Sequence, residues 1–83
     1  MQYLIMCRSL TYAQRSAALL ERKGISCVVV KAPQGLSGSG CGYVLRMQGR
    51  RAAEEAAVLL RGLGFASLRV FRRQGHGYSE VEV

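Results

Sequence analysis

Apolar positions in this chain follow two rhythms. Gln2–Arg8 (QYLIMCR), Ile25–Ala32 (ISCVVVKA), Gly42–Gln48 (GYVLRMQ) and Ser67–Arg73 (SLRVFRR) are short runs rich in strand formers. Between the first two runs, Tyr12, Ala13, Ala17, Leu19 and Leu20 alternate with Arg15, Arg22 and Lys23 at the spacing of an amphipathic helix. Ser9 and Thr11 precede it as candidate N-caps, and Gly24 stands where a left-handed residue closes a helix. A second helix, dense in Ala and Leu, is predicted over Arg50–Leu63. Its Glu54 and Glu55 are expected in the first turns, where the macrodipole favours them, and Gly62 and Gly64 end it.

The order is β-α-β-β-α-β, two strand-helix-strand units of similar length. The simplest architecture is α+β: a ferredoxin-like split βαβ, with a four-stranded antiparallel sheet and two helices on one face. Residues 1–73 are read as one such domain and 74–83 as a C-terminal tail. The tail's end alternates well enough to add an extra strand, with another chain as one partner. The second strand run is apolar on both sides (Val28 and Val30 against Cys27 and Val29), which predicts that the far sheet face is covered. A homodimer is the expected cover.

Composition narrows the chemistry. The chain has 83 residues, enough for one small core. Its 49% apolar and 20% charged content is that of a globular chain, not a disordered one. It contains no Asp and a single His, which excludes Asp dyads, EF-hand loops and multi-histidine cages, so neither a metal nor a cofactor is expected. The net charge of +7 points to an anionic partner, although the arginines are spread along the chain without a long basic run. Three cysteines, Cys7, Cys27 and Cys41, fit neither a disulfide framework nor a zinc motif. Free thiols, with no signal-peptide pattern and no spanning apolar run, lead to the expectation of a cytoplasmic protein away from membranes.

The segment Pro33–Gly42 (PQGLSGSGCG) holds the only Pro and four of the ten Gly, and is a long loop for its place. In a split βαβ sheet the end of the first strand (Cys7, Arg8) lies beside the start of the third (Cys41, Gly42). The first helix N-terminus, with Ser9 and Thr11, opens at the same edge. A thiol there has a reason to react, because a helix N-terminus or a guanidinium lowers its pKa. Gly40 and Gly42 leave Cys41 sterically open and allow positive φ. Cys7 and Cys27 fall inside strands and read as small buried hydrophobes, with Cys7 a candidate resolving thiol. His76, between two glycines, reads as a solvated histidine. GSGCG is no Walker loop, since no GK[ST] follows. Tyr3 and Tyr43 sit where an RNA-recognition sheet presents stacking aromatics, but the basic-Gly-aromatic pattern is missing and they read as core or dimer residues.

With its opening YLIMCRSLTYAQRSAALLERKGI, the Pro after VVVKA, the stretch SGSGCGYVLRM and a second helix ending in GLGF, the chain resembles the selenium/sulfur carrier-like proteins over about residues 3–73. The most specific stretch runs from Pro33 to Arg46, where Ser37–Gly40 lead into Cys41-Gly42. The resemblance implies that Cys41 is the carrier cysteine. Gln34 and Gly35 stand where the family commonly has a charged pair.

The reading that follows is a sulfur or selenium carrier. Cys41 accepts a persulfide-type group from a donor protein and passes it to an acceptor protein, without turnover of a small substrate. Arg8, Ser9, Thr11, Gly40 and Gly42 are the expected thiolate-stabilising residues, and Pro33, Ser39, Arg46 and Cys7 surround them. The alternative is a regulatory module that binds an anion or small molecule through the loop, Arg8 and Arg46 without using the thiol. Nucleic-acid binding through net charge alone ranks last.

Overall fold

The computed structural model describes residues 1–33, 36, 42–64 and 68–83. In chain order the elements are β1 (Gln2–Cys7), α1 (Leu10–Arg22), β2 (Val28–Lys31), β3 (Tyr43–Gln48), α2 (Arg50–Gly62), β4 (Val70–Gln74) and β5 (Gly77–Val81). The strands form one antiparallel sheet in the order β2-β3-β1-β4-β5. The α+β class, the two helices and the order of the first four strands are as expected. The strand count is not: the sheet has five strands rather than the four of a ferredoxin-like sheet.

The fifth strand comes from the tail, and it pairs with β4 of its own chain, Val70 opposite Val81 through Gln74 opposite Gly77. Gly75 and His76 make the connection, with Gly75 at φ +61° and His76 outside the positive-φ region. Glycine at the first of two central residues is the arrangement of a type II′ hairpin turn, whose twist matches that of the strands. A two-residue turn closes locally, so the tail reaches β4 before it can reach another chain.

Strand alternation divides the core. On β1, Tyr3, Ile5 and Cys7 point to one face, where they meet Leu45 and Met47 of β3, Val70 of β4, and Ala13, Leu20, Ala53, Ala56 and Leu60 of the helices. Both helices therefore pack on this face. Small residues at the contact, Ala13 and Ser16 on α1 and Ala53, Ala56 and Ala57 on α2, let the helix axes approach the sheet closely. The opposite face carries Leu4, Val44 and Phe71, all buried, beneath Met6, Val30, Ala32, Leu36 and Tyr78. Leu36 of the long loop and Tyr78 of β5 pack against the centre of this face.

α1 is closed by a Schellman arrangement: Ile25 N–H donates to Leu20 C=O at 2.9 Å and Gly24 N–H to Glu21 C=O at 3.0 Å. Ile25 and Leu20 are both buried in the helix-side core, the apolar contact that accompanies the motif. At the other end Ser9 is the N-cap, its Oγ accepting from Tyr12 N–H at 3.2 Å. Thr11 lies inside the helix and does not cap it. Glu54 and Glu55 also differ from expectation. No acidic residue falls in the first turn of α2, and these two instead pair one turn back with Arg50 and Arg51, at 3.0 and 3.4 Å. Such exposed pairs add little beside the burial of a side chain like Leu60, worth roughly 1.5–3 kcal/mol.

On the open face Arg69 makes a two-pronged contact with Glu80, Nε to Oε2 at 3.0 Å and Nη2 to Oε1 at 2.9 Å, and its guanidinium lies 5.2 Å from the Phe71 ring centre. Arg69 pulls the Glu80 carboxyl below its ordinary pKa, chiefly through these hydrogen bonds. A depressed carboxylate stabilises the fold above its unfolded pKa and loses that contribution as pH falls through the folded value. Glu80→Gln is therefore expected to lower the urea midpoint at pH 7 and to leave it nearly unchanged at pH 2.5. Gly24 holds φ at +85°, so Gly24→Ala is expected to cost about 1 kcal/mol, read as a fall in Tm of roughly 4–8 °C.

Candidate functional site

The strand directions bring several predicted residues to one end of the sheet. Cys7, the last residue of β1, pairs with Tyr43, the first of β3, and Lys31, the last of β2, pairs with the same Tyr43. One step further out, Ala32 N–H donates to Gly42 C=O at 2.7 Å and closes the base of the loop that contains Cys41. α1 starts at this rim and runs away from it. Since α2 runs back along the same face, its last turn returns to the rim.

Arg8 is exposed and lies over the Tyr12 ring, 5.6 Å from its centre. Ser9 and Thr11 are exposed on either side of Leu10, with the Ser9 hydroxyl engaged in the cap. Pro33 is half-buried at the loop entrance. Gly42 is exposed, with open space where a Cβ would stand, but it does not use the left-handed region, so its value there is clearance rather than φ. Cys41, Gly40 and Ser39 lie outside the described residues.

Two predicted residues are set apart from the rim surface. Cys7 is 5% exposed in the helix-side core, and its thiol donates to Ile5 C=O at 3.7 Å. Arg46 is exposed three residues along β3 from Tyr43, opposite Leu4 and Val28. It borders a cleft of about 740 Å³ at the other end of the sheet, together with Glu21, Cys27, Val28, Arg51 and Glu55. Tyr3 is buried against the helices and Tyr43 packs partly against the same core, so neither is offered for stacking on the open face. His76 is exposed in its turn.

Lys31 was not singled out from sequence. It becomes a rim residue because the Ala32–Gly42 bond fixes the loop base and puts residues 31 and 43 in register. The signal was available: residues equidistant from a closed loop in an antiparallel pair face each other. The segments that frame the rim on its β2 side carry no acid. The five acidic residues are Glu21, Glu54, Glu55, Glu80 and Glu82, and none falls within 7–20 or 31–53. The first turn of α1 contains none either, so the positive end of its dipole is uncompensated.

Cys27, half-buried in the distant cleft, has the opposite electrostatics. Burial first, and the nearby Glu21 carboxylate second, push its thiol pKa up. Since the thiolate is the nucleophile, this position is protected from reaction at neutral pH. Among the described residues no cluster of three or more His, Cys, Asp or Glu could hold a metal ion. No helix among them is long and apolar enough to cross a membrane. In iodoacetamide labelling followed by peptide mass spectrometry, Cys27 is expected to alkylate more slowly than free glutathione at pH 7.5. Glu21→Gln is expected to narrow that gap.

A family profile described as Putative Se/S carrier protein-like covers residues 2–71, from β1 into β4 and across the Cys41 loop. No curated protein and no solved structure matched the chain.

Proposed function

The chain belongs to the selenium/sulfur carrier-like family matched over residues 2–71, and on that premise we propose that Cys41 accepts sulfur, or selenium as its analogue, and hands it to a second protein. The observation that carries this reading is the extent of the match, which includes the whole unit framing the loop and the loop itself. The rim supports it. Gly42, next to Cys41 in the chain, is held at an exposed sheet edge, level with the uncompensated N-terminus of α1 and with cationic Arg8 and Lys31 nearby. Positive potential lowers a thiol pKa, and of the two described cysteines Cys7 is buried in the core and Cys27 lines the cleft beside Glu21.

The transfer step needs no external oxidant. The Cys41 thiolate attacks the outer sulfur of a donor persulfide. A new S–S bond forms to Cys41 as the donor's S–S bond breaks, and the donor cysteine leaves as a thiolate. The outer sulfur keeps its proton and becomes the terminal sulfur of a Cys41 persulfide. Delivery repeats the exchange with an acceptor thiolate, and Cys41 returns to its starting state. Protein partners on both sides follow from this chemistry, with no resident cofactor involved.

Incubation with a cysteine desulfurase and cysteine, followed by intact-mass measurement, is expected to show a gain of one sulfur atom. The gain should vanish in Cys41→Ser and persist in Cys27→Ser. A gain that persists in Cys41→Ser would exclude Cys41 as the carrier.

A further inference from the structure

The rim holds more apolar surface than a thiol and its stabilising charges need. Leu10 and Tyr12 in the first turn of α1 are each 39% exposed, and Leu63 at the end of α2 is 60% exposed. The helices run antiparallel on one face of the sheet and touch each other, which brings the start of one and the end of the other to the same end of the molecule. Arg8, Arg15 and Lys31 are exposed around this end. Arg8 is already stacked on Tyr12, so part of the ordering cost of that pair is met before any partner arrives.

We propose that this surface, centred on Leu10, Tyr12 and Leu63 and ringed by Arg8, Arg15 and Lys31, docks a partner protein whose contact patch is apolar at its centre and acidic at its margin. The proposal rests on the carrier reading only in its purpose, which is to bring a partner's thiol to the strand that begins beside Cys41. An apolar centre with Tyr and Arg anchors is the composition of protein interfaces. Charge identifies the partner's sign. Glu21 lies at the far end of α1, Glu54 and Glu55 pair with arginines in the first half of α2, Glu80 pairs with Arg69 on the opposite edge strand, and no ion pair among the described residues engages Arg8, Arg15 or Lys31. A second copy does not fit, because a two-fold contact through this surface sets Arg8 and Lys31 of each copy against the same cations of the other. A polyanion such as RNA would satisfy the charges and leave Leu10 and Leu63 unused.

The test uses the full chain, labelled with ¹⁵N, titrated with poly(Glu,Tyr), an acidic copolymer with an apolar ring on its tyrosines. Amide shifts are expected to be largest over Leu10–Arg15, at Lys31 and at Leu63. The double variant Leu10→Ser/Leu63→Ser changes only exposed positions and is expected to weaken binding by about fivefold or more. Val58→Ser, also exposed on α2 and away from the rim, should leave it unchanged. Shifts centred on Val28–Val30 or on the outer face of α2, or equal binding by the double variant, would overturn the proposal. So would tighter binding at the rim by an oligoribonucleotide or by anionic phosphatidylserine vesicles than by the copolymer. Loading of Cys41 from glutathione persulfide, a small donor, should be the same in the wild type and the double variant. Failure of the wild type to load removes the carrier reading, while the docking surface is then judged by the titration alone.

Discussion

The register of β1 is the constraint from which the rest of the molecule follows. It is the central strand, and it is buried on both sides, with Tyr3, Ile5 and Cys7 against the helices and Leu4 against the open-face cluster. Slipping its pairing by one residue would send each of these side chains to the wrong face. The hydrogen bond from Gly49 N–H to Met1 C=O at one end and the pairing of Cys7 with Tyr43 at the other pin that register. Once it is set, the position of Gly42 and of the loop base is set with it.

The fold was readable from sequence where periodicity was strong. Both helices and all four predicted strands exist, because each has enough alternating or helical apolar positions to commit it. β2 is shorter than its apolar run: only Val28–Lys31 pair, while Ile25 serves the Schellman cap and Cys27 packs without pairing. The fifth strand was visible only as alternation. Its true partner depended on the Gly75-His76 turn, a two-residue hairpin signal that the surrounding glycines masked. The packing of Leu36 on the open face was not legible, because it is a single apolar residue in a glycine-rich segment and nothing in its local pattern distinguishes it from a solvated one.

The site was readable in its topology rather than its contacts. Antiparallel neighbours β1 and β3 bring Arg8, Ser9 and Gly42 to one edge from strand order alone. Arg46 was grouped with them because it is close to Cys41 in sequence, yet along a strand three residues span about 10 Å, and it belongs to the far cleft. The two cysteines in strands illustrate how little a residue type says by itself. Cys7 is sealed in the core and Cys27 is held protonated by burial and Glu21, so the fold sorts the thiols by surroundings.

The last residues of the chain have a consequence for the edge of the sheet. Arg61 holds Val83 C=O at 2.8 Å and Arg50 holds Glu82 C=O at 3.2 Å, so the segment after β5 is strapped to α2. These residues lie beyond the 2–71 span shared with the family. Without them β4 would offer a row of open amides and carbonyls beside the apolar Phe71, a template on which other chains can polymerise. The hairpin fills that row and the straps keep it filled. The hairpin therefore moves the margin of the sheet from β4 to β5, and that new margin is the one whose end is anchored to a helix.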